Sequence, residues 1–341
     1  MPIIEHLIVD EFGAYVGKYS GRLKVTKKGE TLAQAPLLHL NSVLISNRGV
    51  SVSAEAVRAC AERGIPLYYV SGSGTAYAML YSAGLTGTIA TRRAQVQAYE
   101  TERGVMAARA FALGKIQNQA NLLKYMVKNY KDSQPDLYAE VRRLAIEVLE
   151  HEAELDRLEA TCIDQVREQI LGTEGRAAQR YWAGVRLVLR ADLGWPGRET
   201  RGATDPFNQA LNYGYGVLYG QIERVILLAG LDPYAGFLHA DRPGKPSLVL
   251  DLIEEFRQQV VDRTIIGLVN KGVAIGQTEH GRLDRDTRRL LAERVLERLE
   301  SPVRYEGKRH RLGAVMQMQA RHLATFLRGE RETYEPFVGS W

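Results

Sequence analysis

The feature that most constrains this chain is a change of hydrophobic period near residue 86 of its 341. Ahead of that point the apolar residues come in short runs, "IIEHLIV", "AYVGKYS", "RLKVTKKGE", "SVLIS" and "PLYYV". They are β-branched or aromatic and are parted by Gly, Asn or charged turns, which predicts strands. One helix interrupts them in "SVSAEAVRACAERG", with Ser53 as N-cap, Ala54, Val57 and Ala61 toward one side, and Gly64 as its stop. "SGSG" (71–74) lacks the Lys-Ser/Thr of a phosphate loop, so a hairpin turn is expected there.

From Thr86 onward the apolar residues recur at three and four, with Gln, Lys, Arg and Glu between them. Helices are expected through the stretches 92–130 and 136–171. Others are expected near Glu174 to Leu193, Pro206 to Ala229, Ser247 to Asn270, Asp284 to Leu299 and Gly313 to Arg328. The chain is also too long for one comfortable core. The expected class is α+β, with a small β-rich domain over 1–88 followed by a larger all-α domain over 89–341.

Composition narrows the function classes. The hydrophobic fraction of 45% is ordinary for a globular protein. No uncharged apolar run approaches the roughly 20 residues that span a bilayer. The start "MPIIEHLIVDEFGAY" has no basic n-region, so no secretory signal is expected and the cytoplasm is the default. Cys60 and Cys162 match no metal-binding spacing and are expected to be small buried hydrophobes in a reducing compartment. A net charge of +5 permits a nucleic-acid partner without demanding one. Arg176, Arg180, Arg186, Arg190, Arg198 and Arg201 crowd one segment, and "GKRHRL" (307–312) is a second basic knot. Phosphate clamps and solvated helix faces both fit such clusters.

The stretch "GFLHADRPGKPSLVLDLIEEFR" (236–257) sets a loop histidine, His239, before a helix that Ser247 is placed to cap. Residues three and four apart share a helix face, so Asp251 is expected to face the same way as Glu254 and Glu255. An imidazole folded over those carboxylates suits Mg²⁺ or Mn²⁺ better than zinc. Acids in the first turns of a helix also stabilise its dipole, and that plainer account stays open. Glu174, in "LGTEGRAAQRYW", stands at a Gly-bounded helix start and could supply a carboxylate from a second element. From residues alone, a metal-dependent nucleic-acid enzyme and a helical adaptor with surface acids are both left standing.

Four segments carry a resemblance: "SVLISNRGVSVSAEAVRACAERGIPLYYVSGSG" (42–74), "LGTEGRAAQRYW" (171–182), the stretch from "DPFNQALNYGYG" through "DLIEEFR" (205–257), and "QMQARHLATFLRGERETYEPF" (317–337). Together they make the chain resemble the CRISPR-associated spacer-acquisition integrases, the metal-dependent DNA endonucleases of CRISPR adaptation. The resemblance implies Glu174, His239 and Glu254 as catalytic metal ligands for Mg²⁺ or Mn²⁺. It gives Asp251 a supporting role and makes Glu255 the competitor for Glu254's place. From the residues themselves, Tyr181, seven positions from Glu174 and so on roughly the same helix face, is expected to pack in the core, with support of the site or stacking on a base as its alternatives. Asn212 is expected to support the fold around the site, and Arg176, Arg180, Lys245, Lys308, Arg309 and Arg311 are expected to hold DNA phosphates. The resemblance further implies a homodimer formed through the β domain and a small companion CRISPR-associated protein that bridges two dimers. The implied reaction inserts a short DNA spacer duplex into a CRISPR repeat, a 3′-hydroxyl attacking a phosphodiester. A nuclease that only cuts branched DNA would use the same residues. A catalytically silent scaffold would have lost a ligand position, and all three are present.

Overall fold

A computed structural model describes residues 4–72, 74, 76–80, 89–190 and 194–340. The N-terminal strands form two four-stranded sheets. In one, Arg22–Lys27 pairs antiparallel with Tyr15–Tyr19 and Glu30–Pro36, and Ser51–Val52 adds a parallel edge. In the other, His6–Val9, Ser42–Ile45 and Leu67–Val70 run parallel, and Ala76–Leu80 returns antiparallel. Ser42–Ile45 is buried at every residue, as a central strand covered on both faces must be. Glu30–Pro36 and Ala76–Leu80 are strands that the sequence pattern does not announce; both are largely exposed, so no clean alternation marks them. "SGSG" does join two antiparallel strands, although Ser73 lies outside the described residues.

Ser53 caps the Ala54–Ala61 helix by accepting the Ala56 N–H at 3.1 Å. That cap sets the phase. The buried face is Ala56, Ala59 and Cys60, while Ala54 is exposed, which corrects the expected face. Leu7, Val9, Val16, Leu23, Val25, Val43, Ile45, Cys60 and Leu67 share one core, with Val57 packed at its margin. Both cysteines are free. Burial pushes the Cys60 thiol up to about 11, so it stays protonated, and Cys162 is only half-buried.

The chain divides into two compact units. The first comprises Met1–Leu85, Ala203–Gly220 and Ile275–Leu296, and the second Thr86–Gly202, Gln221–Ala274 and Glu297–Trp341. A cut at 88/89 would give 203–220 and 275–296 to the helical part; here they group with the strands. The reason is visible in the backbone. A Cβ on Gly216 would stand 1.5 Å from the Gly74 carbonyl oxygen, and one on Gly220 would touch the Tyr68 ring at 3.0 Å. Arg285 likewise reaches Asp10 at 3.2 Å and Glu11 at 2.5 Å. Residues 81–88, which lead up to the expected boundary, lie outside the described residues.

In the second unit the Glu102–Met126 and Arg167–Val188 helices pack closely; a Cβ on Gly184 would press on Leu123 at 2.7 Å. Two expectations fail here. The helical period does not run to the C-terminus, because Pro302–Tyr305 and Lys308–Arg311 form a β-hairpin. Its turn, Glu306 and Gly307, has φ of +46° and +77°, the left-handed pair of a type I′ hairpin. Nor is Ser247–Asn270 one regular helix. It is α over Ser247–Leu252, tightens to a 3₁₀ turn over Ile253–Glu255, widens to a π turn over Gln258–Asp262 and resumes as Arg263–Asn270.

Candidate active site

The irregular helix separates three acids that a regular one would align. Asp251, fully buried, turns back to the preceding loop and accepts the backbone N–H of Phe237 (2.6 Å), Leu238 (3.0 Å) and His239 (2.8 Å). It also holds His239 Nδ1 at 2.8 Å, which leaves Nε2 as the remaining ring nitrogen. The loop comes this close because residue 236 is glycine; a Cβ there would lie 2.8 Å from Asp251 Oδ2. Ser247 does not cap the helix by its side chain. Its hydroxyl accepts the Gly236 N–H at 2.8 Å and reaches the Tyr234 carbonyl at 2.6 Å, so it braces the same loop. Gln95 pins the loop's start, donating to the Asp232 and Ala235 carbonyls at 2.9 and 2.7 Å.

Glu254 faces the opposite company. Its Oε2 is 2.9 Å from Lys115 Nζ and its Oε1 is 2.9 Å from Arg257. Lys115 also pairs with Glu174 Oε1, so one ammonium joins carboxylates from two helices. Burial raises the Glu254 pKa, but Arg257, Lys115 and His239 outweigh it and hold the carboxyl down at about 2. Burial lowers the Lys115 pKa, and Glu174 and Glu254 reverse that and keep it charged. Glu174 is 9% exposed, and its Oε2 is buried with no hydrogen-bond partner among the described residues. It is not at a helix start, because its helix begins at Arg167 and Glu174 sits two turns in. First-turn dipole pairing is therefore not its role.

Glu255 points elsewhere. It accepts Tyr334 Oη–H at 2.5 Å on one oxygen, and Gln319 Nε2 and the Phe337 N–H, each at 2.8 Å, on the other. Burial pushes it up to about 7. It anchors the C-terminal segment and does not compete for Glu254's place. Tyr181 is fully buried and donates to Asp262 Oδ2 at 2.6 Å, bracing the π turn, so core packing is its observed part. Asn212 belongs to the 203–220 segment of the first unit, whose Gly216 and Gly220 approach Gly74 and Tyr68.

The expected DNA cations divide. Arg176 is paired with Glu154, Arg180 lies 3.4 Å from Glu147, and Arg311 pairs with Glu300 at 2.7 Å. Lys245 closes the turn after His239, its N–H donating to the Arg242 carbonyl at 3.0 Å, with Pro243 and Gly244 at the tip. Lys308 and Arg309 line a cavity of about 720 Å³ with Arg263, Arg298 and Arg304. Burial and the neighbouring Arg263 push the Arg298 guanidinium down to about 10, a sign of positive charge crowded together.

Sequence reading missed Lys115. The signal was there: Phe111, Lys115, Asn118 and Leu122 follow a four-three-four spacing along one buried helix face. A lysine on such a face needs opposing charge. Among the described residues no three His, Cys, Asp or Glu side chains converge tightly enough to hold a metal ion as they stand. The donors nevertheless fit a hard divalent cation. Two carboxylates already share a cation, Glu174 has an oxygen to spare, and the imidazole is oriented by Asp251.

The likeness to known proteins runs along the whole chain. The CRISPR-associated endonuclease Cas1 1 of Archaeoglobus fulgidus is 38% identical over 346 aligned positions, covering 98% of this chain and 99% of that protein. The solved structure of a casposase bound to an integration product superimposes with a TM-score of 0.82 at 22% identity, over 97% of this chain and 93% of the other. A Cas6-RT-Cas1–Cas2 complex gives 0.72 at 19% identity, over 98% of this chain and 36% of the other. The model of the CRISPR associated protein Cas1 family matches residues 7–297, and the chain belongs to that family.

Proposed function

We propose that the protein is a divalent-metal-dependent DNA endonuclease and integrase that joins short DNA duplexes to a CRISPR repeat. The observation that carries this reading is the convergence of Glu174 and Glu254, from different helices, on one buried cation, with the imidazole that Asp251 orients near enough to act on Glu254 electrostatically. Glu174, His239 and Glu254 would hold Mg²⁺ or Mn²⁺. When bound, the ion would neutralise charge on the non-bridging phosphate oxygens and activate the attacking oxygen. Asp251 occupies Nδ1 and so fixes the ring with Nε2 as the nitrogen left for the ion. In strand transfer a 3′-hydroxyl of the incoming duplex attacks a phosphorus of the repeat. One phosphodiester forms as another breaks, and the released 3′-oxygen takes up the proton. Water at the same place would give cleavage.

Arg263, Arg298, Arg304, Lys308 and Arg309 crowd one cavity, and a DNA backbone would relieve their mutual repulsion. Phe12, Tyr19, Leu38 and Tyr77 are between 58% and 85% exposed, and they offer the first unit apolar surface for a homodimer. The companion that bridges two such dimers is proposed from the family and from the neighbouring complex that contains Cas2. Among the described residues no helix is long and apolar enough to cross a membrane. Action in the cytoplasm is part of the proposal, since the repeat it would act on lies in cellular DNA. The test is Glu254→Gln. Metal-dependent DNA cleavage should be lost while DNA affinity stays within about threefold, because other residues hold the phosphates. Full cleavage by this variant would remove Glu254 from the site.

A further inference from the structure

Lys115 projects from a helix face whose neighbours Phe111, Ala112 and Ile116 are wholly buried. An ammonium there gives up its hydration, and only opposing charge compensates that loss. The compensation comes from Glu174 and Glu254, the two carboxylates proposed to hold the metal ion. With Arg257 also on Glu254, the cluster of two acids and two bases is neutral. A divalent ion entering with Lys115 in place would meet two carboxylates already balanced by two cations and would share its oxygens with the ammonium. Lysine is suited to giving way, because its charge sits on a flexible four-carbon stem.

We infer that Lys115 is a built-in competitor of the metal ion: it holds Glu174 and Glu254 together before the ion binds, and must swing aside for it to enter. The inference rests on the metal reading above and adds that this lysine sets the metal affinity. A purely structural ion pair would predict something else: its removal would change stability and leave metal affinity alone.

The test is calorimetric titration of the full-length, DNA-free protein with Mn²⁺, comparing the unmodified chain with Lys115→Met, which keeps the length and removes the charge. Affinity should tighten about tenfold or more in the variant, as expected on removing a like charge from a partly dry site. Equal or weaker affinity would overturn the inference. No binding by either protein would remove the metal site itself and the competition with it, a separate failure. The unmodified protein gives a second reading, in case the variant does not fold. Amine acetylation followed by mass spectrometry should find Lys115 protected without Mn²⁺ and more reactive with it. Reactivity unchanged by the ion would count against the inference.

Discussion

At the residue scale, neighbouring acids do unrelated work, and spacing alone could not assign it. Asp251, Glu254 and Glu255 look interchangeable in "DLIEEF", and a regular helix would set them on one side. The structure gives the first to the His239 loop, the second to Lys115 and Arg257, and the third to Tyr334, Gln319 and Phe337. The different partners of Glu254 and Glu255 cannot be read from spacing, since most of them are distant in sequence. His239 was legible as a loop residue, and its orientation by Asp251 was not. The anchoring role of Glu255 makes a prediction. Tyr334→Phe leaves a buried carboxylate oxygen without its donor and should cost about 1–3 kcal/mol. Urea unfolding would read it as a lower midpoint with an unchanged slope. A midpoint equal to the parent's would mean that the Tyr334–Glu255 bond contributes nothing to the fold.

At the scale of elements, strong three-and-four spacing locates helices to within a few residues, as in Pro206–Leu228 and Leu312–Leu327. The failures have physical causes. Long apolar periods conceal breaks, so the Ile89–Ala98 and Glu102–Met126 helices read as one. The 3₁₀ and π turns at 253–262 leave no mark in hydrophobicity, although such irregularities often accompany functional sites. The Pro302–Arg311 hairpin is short and mostly polar, and its one clear signal was a Glu-Gly pair ahead of a basic run. That hairpin carries the next prediction. Replacing Lys308 and Arg309 together by Gln should weaken DNA binding. The plot of log affinity against log salt should become shallower by about two, roughly one unit for each phosphate no longer neutralised. An unchanged slope would place the DNA elsewhere.

At the scale of the whole molecule, the change of period near residue 86 did mark a change of architecture. It did not mark a cut through the chain, since segments 203–220 and 275–296, which carry parts of two helices, group with the strands. Hydrophobic period reports local conformation, and the close backbone approach of Gly74 and Gly216 that decides the grouping joins residues far apart in sequence. Family membership extends over residues 7–297 and carries the general function; in the function we propose, the chemistry would rest on the carboxylates paired with Lys115. The most direct measurement is a strand-transfer assay on branched DNA that mimics a half-integrated spacer, with Mn²⁺ or Mg²⁺, beside His239→Ala. The account predicts a rejoined strand that requires both the metal ion and His239. A rejoined strand formed equally well by His239→Ala, or formed without added metal in the presence of a chelator, would contradict it.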